Sequence, residues 1–109
     1  MLQNVTSSNY EILDAVDLAI IVFEVGDDRL PRYAAMNVHA RAITKLKCDD
    51  ILGKTALEVY GGVTGKRALA KHMEVVNSGK EITYDVELPS VHKTLFLRTT
   101  LTPVFDRDG

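Results

Sequence analysis

Arg32-Tyr33-Ala34-Ala35-Met36-Asn37 is the stretch on which the fold of this chain turns. Its first five residues read as a short strand. Pro31 stands directly before them, and a residue with no amide to donate suits the start of an edge strand. Asn37 reads as a helix N-cap, because its side-chain oxygen can accept from the free amides of a first helical turn. Strand therefore passes into helix with no loop between. Upstream, Ala19 to Val25 (AIIVFEV) is rich in β-branched residues and ends at the turn-forming Gly26-Asp27-Asp28, so it predicts the other strand of a hairpin. Further back, Ser8-Asn9-Tyr10-Glu11 has capping-box spacing for a short helix through Val16, after a loose polar segment at residues 1–7.

Downstream of Asn37 the pattern predicts a helix to Leu46, then a second, turn-like helix from Asp49 that Gly53 stops in the left-handed region. Thr55 to Tyr60 reads as another helical turn, broken by Gly61-Gly62. The longest helix is expected from Thr64 or Gly65 to Ser78, with Leu69, Met73 and Val76 at helical spacing and Gly79 as the stop. Two strands follow, Ile82 to Leu88 and Thr94 to Phe105. The link Pro89 to Lys93 is short enough for an antiparallel hairpin. On the last strand Leu95, Leu97, Thr99 and Leu101 share one face, and Phe96, Arg98, Thr100 and Thr102 the other. Strands at both ends with helices between them imply an α+β fold.

Composition sets bounds on what such a domain can do. With 109 residues, 46 % of them hydrophobic and 26 % charged, the chain is expected to form one domain with a modest core. No stretch approaches the roughly 18 consecutive apolar residues of a membrane span, and the N-terminus lacks a signal-peptide pattern. A cytoplasmic location and no direct membrane contact are therefore expected. A formal charge of −2 offers no basic field for a phosphate backbone, so nucleic acid is not an expected partner. The single cysteine, Cys48, excludes an internal disulfide, and no convergent ligand set suggests a metal.

Several strings resemble the PAS family. Ile12-Leu13-Asp14-Ala15-Val16 before an apolar strand is similar to the family's lead-in helix and first strand. Arg32 to Asn37 resembles its second strand, ending in the asparagine that opens the next helix. Ile51-Leu52-Gly53-Lys54 is similar to a turn frequent after its acidic short helix, and Val75 to Lys80 to the end of its long helix. Arg98 to Asp106, then Asp108-Gly109, resembles the penultimate strand and turn of PAS domains ahead of histidine kinases and diguanylate cyclases. The resemblance covers Ser8 onward. It implies an antiparallel sheet with short helices packed on one face and a final strand in the middle of the sheet. The sequence stops at that turn, so the expectation is a core without its central strand, whose hairpins pair directly or borrow a strand from a neighbouring chain.

Motifs outside this pattern are weaker. Gly61-Gly62-Val63-Thr64-Gly65-Lys66-Arg67 invites a phosphate-loop reading, but its spacing is one residue short and Arg67 replaces the magnesium-binding hydroxyl, so a flexible loop leading into the helix is expected. His72 could suggest the haem histidine of some PAS domains, yet the aligned position falls nearer Ala68 or Leu69, which puts His72 at the surface or rim. His39 and His92 are expected to be solvated. Lys47-Cys48-Asp49 lacks the asparagine and arginine that flank the flavin-reactive cysteine of light-sensing relatives. Haem and flavin are both unexpected, and the cofactor is left unassigned. No nucleophile, base and orienting acid form a recognisable catalytic set.

The resemblance implies a ligand cavity between helices and sheet. Its expected lining is Phe23, Tyr33, Ala35, Ile43, Leu46, Tyr60, Leu69, Met73, Tyr84 and Phe96, with Asn37 and Arg98 as polar anchors. Tyr10, Leu13 and Val16 on the first helix are the expected homodimer surface. The function so implied is a non-catalytic sensory module of a larger regulator, which binds a small molecule or dimerises and passes a conformational signal to an output domain in the same chain. The alternative is a small α+β carrier or enzyme with a cone-shaped apolar pocket.

Overall fold

The computed structural model describes residues 13–15, 17–89 and 94–104. The element order is β1 (Ile21–Val25), β2 (Pro31–Met36), α1 (Val38–Thr44), α2 (Cys48–Ile51), α3 (Ala56–Tyr60), α4 (Gly62–Ser78), β3 (Ile82–Pro89) and β4 (Thr94–Leu101). The chain is thus α+β. Of the expected first helix, Leu13-Asp14-Ala15 forms a single 3₁₀ turn, while Tyr10 and Val16 lie outside the described residues, as do residues 1–7, His92 and the expected strand end at Phe105.

Both strand pairs are antiparallel hairpins. β1 and β2 pair from Ile21 opposite Met36 to Val25 opposite Pro31, with an irregularity that leaves Ala34 unopposed between the Val22–Ala35 and Phe23–Tyr33 pairs. Such a bulge bends a strand and re-aims its side chains. Pro31 belongs to the strand and occupies its first position, where a missing donor is tolerated. The other edge of β2 is covered: the Tyr33 amide donates to Lys54 O and the Gly53 amide to Tyr33 O, each at 2.9 Å. β3 and β4 pair from Ile82 opposite Leu101 to Pro89 opposite Thr94. The two hairpins form two separate two-stranded sheets, so the expected direct pairing between them does not occur among the described residues.

Asn37 caps α1 as its type predicts, with Oδ1 accepting from the Ala40 amide at 3.0 Å. The helix ends at Thr44 and not at Leu46, because Lys45 turns left-handed (φ 62°) and its amide closes on Arg41 O. Thr55 opens α3 with a reciprocal capping box: the Thr55 amide donates to Glu58 Oε1, and the Glu58 amide to Thr55 Oγ1. Gly61-Gly62 does not break the chain into a flexible loop. Gly61, at φ 68°, is at once the C-cap of α3 and the N-cap of α4, which begins at Gly62. Gly65 lies inside α4 and faces α3, where a Cβ would come within 3.0 Å of Leu57 Cα.

The core gathers Tyr33, Met36, Ala40, Ile51, Ala56 and Ala68, with Ile21, Phe23, Leu46, Cys48 and Val59 packed against it. It is built from the first hairpin and the helices. Arg29 ties the hairpin turn to the end of α4 by donating to Val76 O and Asn77 Oδ1. Arg32 bridges Asp28, Gly53 O and Glu58. Among the described residues no helix is long and apolar enough to cross a membrane.

Candidate functional site

Phe23 and Tyr33 face each other across the bulged hairpin, their ring centroids 4.5 Å apart and tilted by 46°. From α4, His72 lays its ring against Phe23 at 4.3 Å and 50°. Tilted aromatic contacts at this range are favourable beyond the area they bury. Tyr60, the last residue of α3, and Tyr84 of β3 lie close enough to Tyr33 to add to the rise in its pKa. The Lys71 ammonium sits 5.4 Å from the centre of the Tyr84 ring and 3.9 Å from the Glu74 carboxylate. Five elements, β1, β2, α3, α4 and β3, therefore converge on one aromatic cluster.

The electrostatics of the cluster follow from burial. Desolvation is the main cause that raises the pKa of Tyr33, Tyr60 and Tyr84, so all three phenols are neutral in ordinary buffers. Desolvation also pushes the His72 imidazole down from 6.5 to about 4. His72 is 8 % exposed, and its Nδ1 is buried without a hydrogen-bond partner. An orphan of this kind costs about 1–3 kcal/mol. The phenols and the imidazole of the cluster are thus neutral, and His72 Nδ1 is its buried polar atom without a hydrogen-bond partner among the described residues.

The expected site residues divide into three groups. Phe23, Tyr33, Tyr60 and Tyr84 come together as described, and Leu69 and Met73 are half-buried on α4. Ala35 and Leu46 belong to the packing of the core. The remaining four are not where a cavity lining would need them. Ile43 is exposed. Asn37 is buried, but both faces of its carboxamide are used: Nδ2 donates to Leu13 O and Leu18 O, while Oδ1 accepts from Ile20 N and Ala40 N. It fixes the chain before β1 to the start of α1 and has no capacity left for a ligand. Phe96, 74 % exposed, and Arg98, paired with Asp85 at 2.9 Å, project from the outer face of the second hairpin. With Asp85, Val86, Glu87 and Leu97 they line an open groove instead.

His72, expected at the surface or rim, is buried instead. The buried positions of α4 are Gly65, Ala68 and His72, a stripe at helical spacing one residue removed from Leu69, Met73 and Val76. The signal available was size: Gly65 and Ala68 are the small residues that let α3 approach, and His72 continues their face. His39 is half-exposed, with Nε2 3.7 Å from Asp17. Cys48 is half-buried beneath the Arg41 guanidinium. Among the described residues no three His, Cys, Asp or Glu side chains converge as metal ligands would. Comparison with family models, curated proteins and solved structures gives no match.

Proposed function

We propose that the chain is a PAS-type sensory module that binds a small molecule, or dimerises, and passes a conformational signal to an output domain. The reading is carried by one observation: two antiparallel hairpins bracket four consecutive helices, and among the described residues β1 and β4 each have a strand partner on one side only. In a PAS sheet a further strand lies between the first and the fourth. Here it would come from outside the described residues or from a second copy, and would join the hairpins through their unpaired edges, since open strand edges pair readily. The aromatic cluster then lies between helices and sheet, where a ligand could bias one arrangement over another.

Native mass spectrometry of chain freshly purified from cells tests this reading, together with hydrogen exchange along β1 and β4. The expected result is a retained small molecule or a dimer, with exchange at the two edges changing when ligand or partner is lost. An empty monomer with unchanging exchange overturns it. The self-association half has its own test in Leu13, half-buried in the turn before β1: Leu13→Glu is expected to weaken the dimer in sedimentation.

A further inference from the structure

We infer that the outer face of the second hairpin is a contact surface for a second copy of this chain, in which Arg98 of each copy lies over Phe96 of the other. The inference rests on the self-association half of the proposed reading and gives it a surface other than the turn at Leu13. Tyr84 of β3 meets Lys71 of α4, so the helices lie against one face of the hairpin and leave the other open. On that open face Phe96 is 74 % exposed, with most of its ring in water. Burying such a ring is a direct source of binding free energy. Together with Asp85, Val86, Glu87, Leu97 and Arg98 it lines an open groove of about 430 Å³.

The pairing register arranges the groups around that groove. Glu87 stands opposite Phe96 and Asp85 opposite Arg98, and alternation along both strands puts all four on the same face, in two levels about 7 Å apart. A two-fold axis that crosses the strands midway between the levels exchanges them. Two copies laid face to face about it bring each Arg98 over the other's Phe96 and beside the other's Glu87. The chemistry fits this placement. A guanidinium over an aromatic ring is attracted to it, and Arg98 uses only two of its five N–H donors on Asp85, Nε to Oδ1 at 2.9 Å and Nη2 to Oδ2 at 3.4 Å. Glu87 is exposed and has no partner among the described residues. Each guanidinium then serves two carboxylates that would otherwise repel, its own Asp85 and the other copy's Glu87. A basic partner of another kind would supply the charge, but the matched spacing of ring and guanidinium is repeated by the same surface rotated. The face of a two-stranded hairpin is small, about 27 Å by 10 Å. That is less than the roughly 800 Å² per partner of a stable complex, so the contact belongs to the weak, transient class.

Sedimentation equilibrium of the full chain, over a concentration series that reaches the millimolar range, tests the inference. The expected result is a reversible monomer–dimer equilibrium whose dissociation constant rises about tenfold or more in Phe96→Ala, the loss of an aromatic anchor. Circular dichroism checks that each variant is folded. Arg98→Glu sets three carboxylates together and is expected to abolish dimerisation. Mixing it with the Glu87→Arg chain is expected to restore association, because positions 98 and 87 of different copies then attract. A monomer throughout, an unchanged constant in Phe96→Ala, or a mixture that stays apart overturns the inference. A monomer that binds an oligolysine peptide at Phe96 also overturns it and gives the groove to a basic partner. Leu13→Glu separates this inference from the proposed reading. Self-association lost in Leu13→Glu but indifferent to Phe96 and Arg98, or a monomer that retains a small molecule, keeps the reading and removes this surface. Self-association lost in Phe96→Ala but unaffected by Leu13→Glu keeps this surface and removes the turn at Leu13 as the contact.

Discussion

The two hairpins of this chain are stabilised in different ways. The first, β1–β2, supplies Tyr33, Ala35 and Met36 to the buried core and leads directly into buried Asn37. In the second, no side chain described on β3 or β4 reaches that degree of burial. Its inner face pairs Ile82 with Leu101, Tyr84 with Thr99 and Val86 with Leu97, all half-exposed. Its outer face carries the Asp85–Arg98 ion pair and a hydroxyl contact between Thr83 and Thr100 at 2.9 Å. The first hairpin is anchored by desolvated packing. The second relies on its ladder and exposed pairs, and its inner face is half-exposed. An isolated two-stranded hairpin is marginal in water, so the second hairpin should be the first element to open.

Replacing Asn37 should break the comparison most sharply, because the whole first region is joined through it. Asn37→Ala strands two carbonyls (Leu13, Leu18) and two amides (Ile20, Ala40) at a site only 1 % exposed. With each loss near 1 kcal/mol, the expected destabilisation is about 4 kcal/mol. That is a large part of what a small domain possesses. Urea unfolding followed by far-UV circular dichroism reads it. A loss below about 1 kcal/mol would mean that the first region is not the stable half.

Acid should act next, again through the first region. Folded His72 takes a proton only near pH 4, whereas the unfolded chain takes one near 6.5. Between those values the unfolded state binds more protons, so stability present above pH 6.5 falls as pH drops toward 4, by up to about 3 kcal/mol. Asp28, Glu58 and Asp85 also have lowered pKa values, from the Leu30 amide, the Thr55 amide and Arg98 respectively. Their contributions fade only below their unfolded values of 3.8 for the aspartates and 4.5 for Glu58, at the acid end of that window or beyond it. The interval from pH 6.5 to 5 therefore reports His72. His72→Phe should flatten it in urea melts, and an unchanged slope would show that the imidazole is not buried.

These two residues also mark how much was legible in the sequence. Element order and most boundaries were, because they rest on local chemistry: the Asn37 cap, the Gly26-Asp27-Asp28 turn, and the positive φ at Gly53 and Gly79. Four of the expected lining residues gather for the same reason, each having been assigned to the right element. The failures are failures of facing. Phe96 and Arg98 alternate with Leu97 and Thr99, so a β4 that turns Leu97 and Thr99 inward must turn those two outward. Asn37 was recognised as a cap, but that the cap would exhaust its carboxamide depends on the turn at Leu13 and the approach to β1, which are tertiary. His72 was assigned to the rim because the haem-histidine position of the resemblance falls nearer Ala68 or Leu69; the spacing of the buried Gly65, Ala68 and His72 is what turns it inward.

Gly65 gives a smaller effect of definite sign. An added methyl gains helix propensity, up to about 1 kcal/mol, but would stand 3.0 Å from Leu57 Cα and 3.1 Å from Leu57 O, backbone atoms that cannot swing away. Overpacking of this type costs about 1–3 kcal/mol. Gly65→Ala should therefore destabilise by about 1 kcal/mol. Thermal unfolding checks this, and a stabilised variant would show that α3 and α4 are not in close contact.

The smallest effect is the one that tests the second hairpin by itself. Arg98 and Asp85 lie directly opposite each other on the outer face, with Nε to Oδ1 at 2.9 Å, but both side chains are more than 70 % exposed. Exposed pairs of this kind contribute little and weaken with salt. Arg98→Ala should leave global stability nearly unchanged, while amide exchange rises along β3 and β4 and stays unchanged at Tyr33 and Met36. That contrast separates local opening from global unfolding. If exchange instead rises equally in both hairpins, the two open together, and the division of the molecule into an anchored and an unanchored half is wrong.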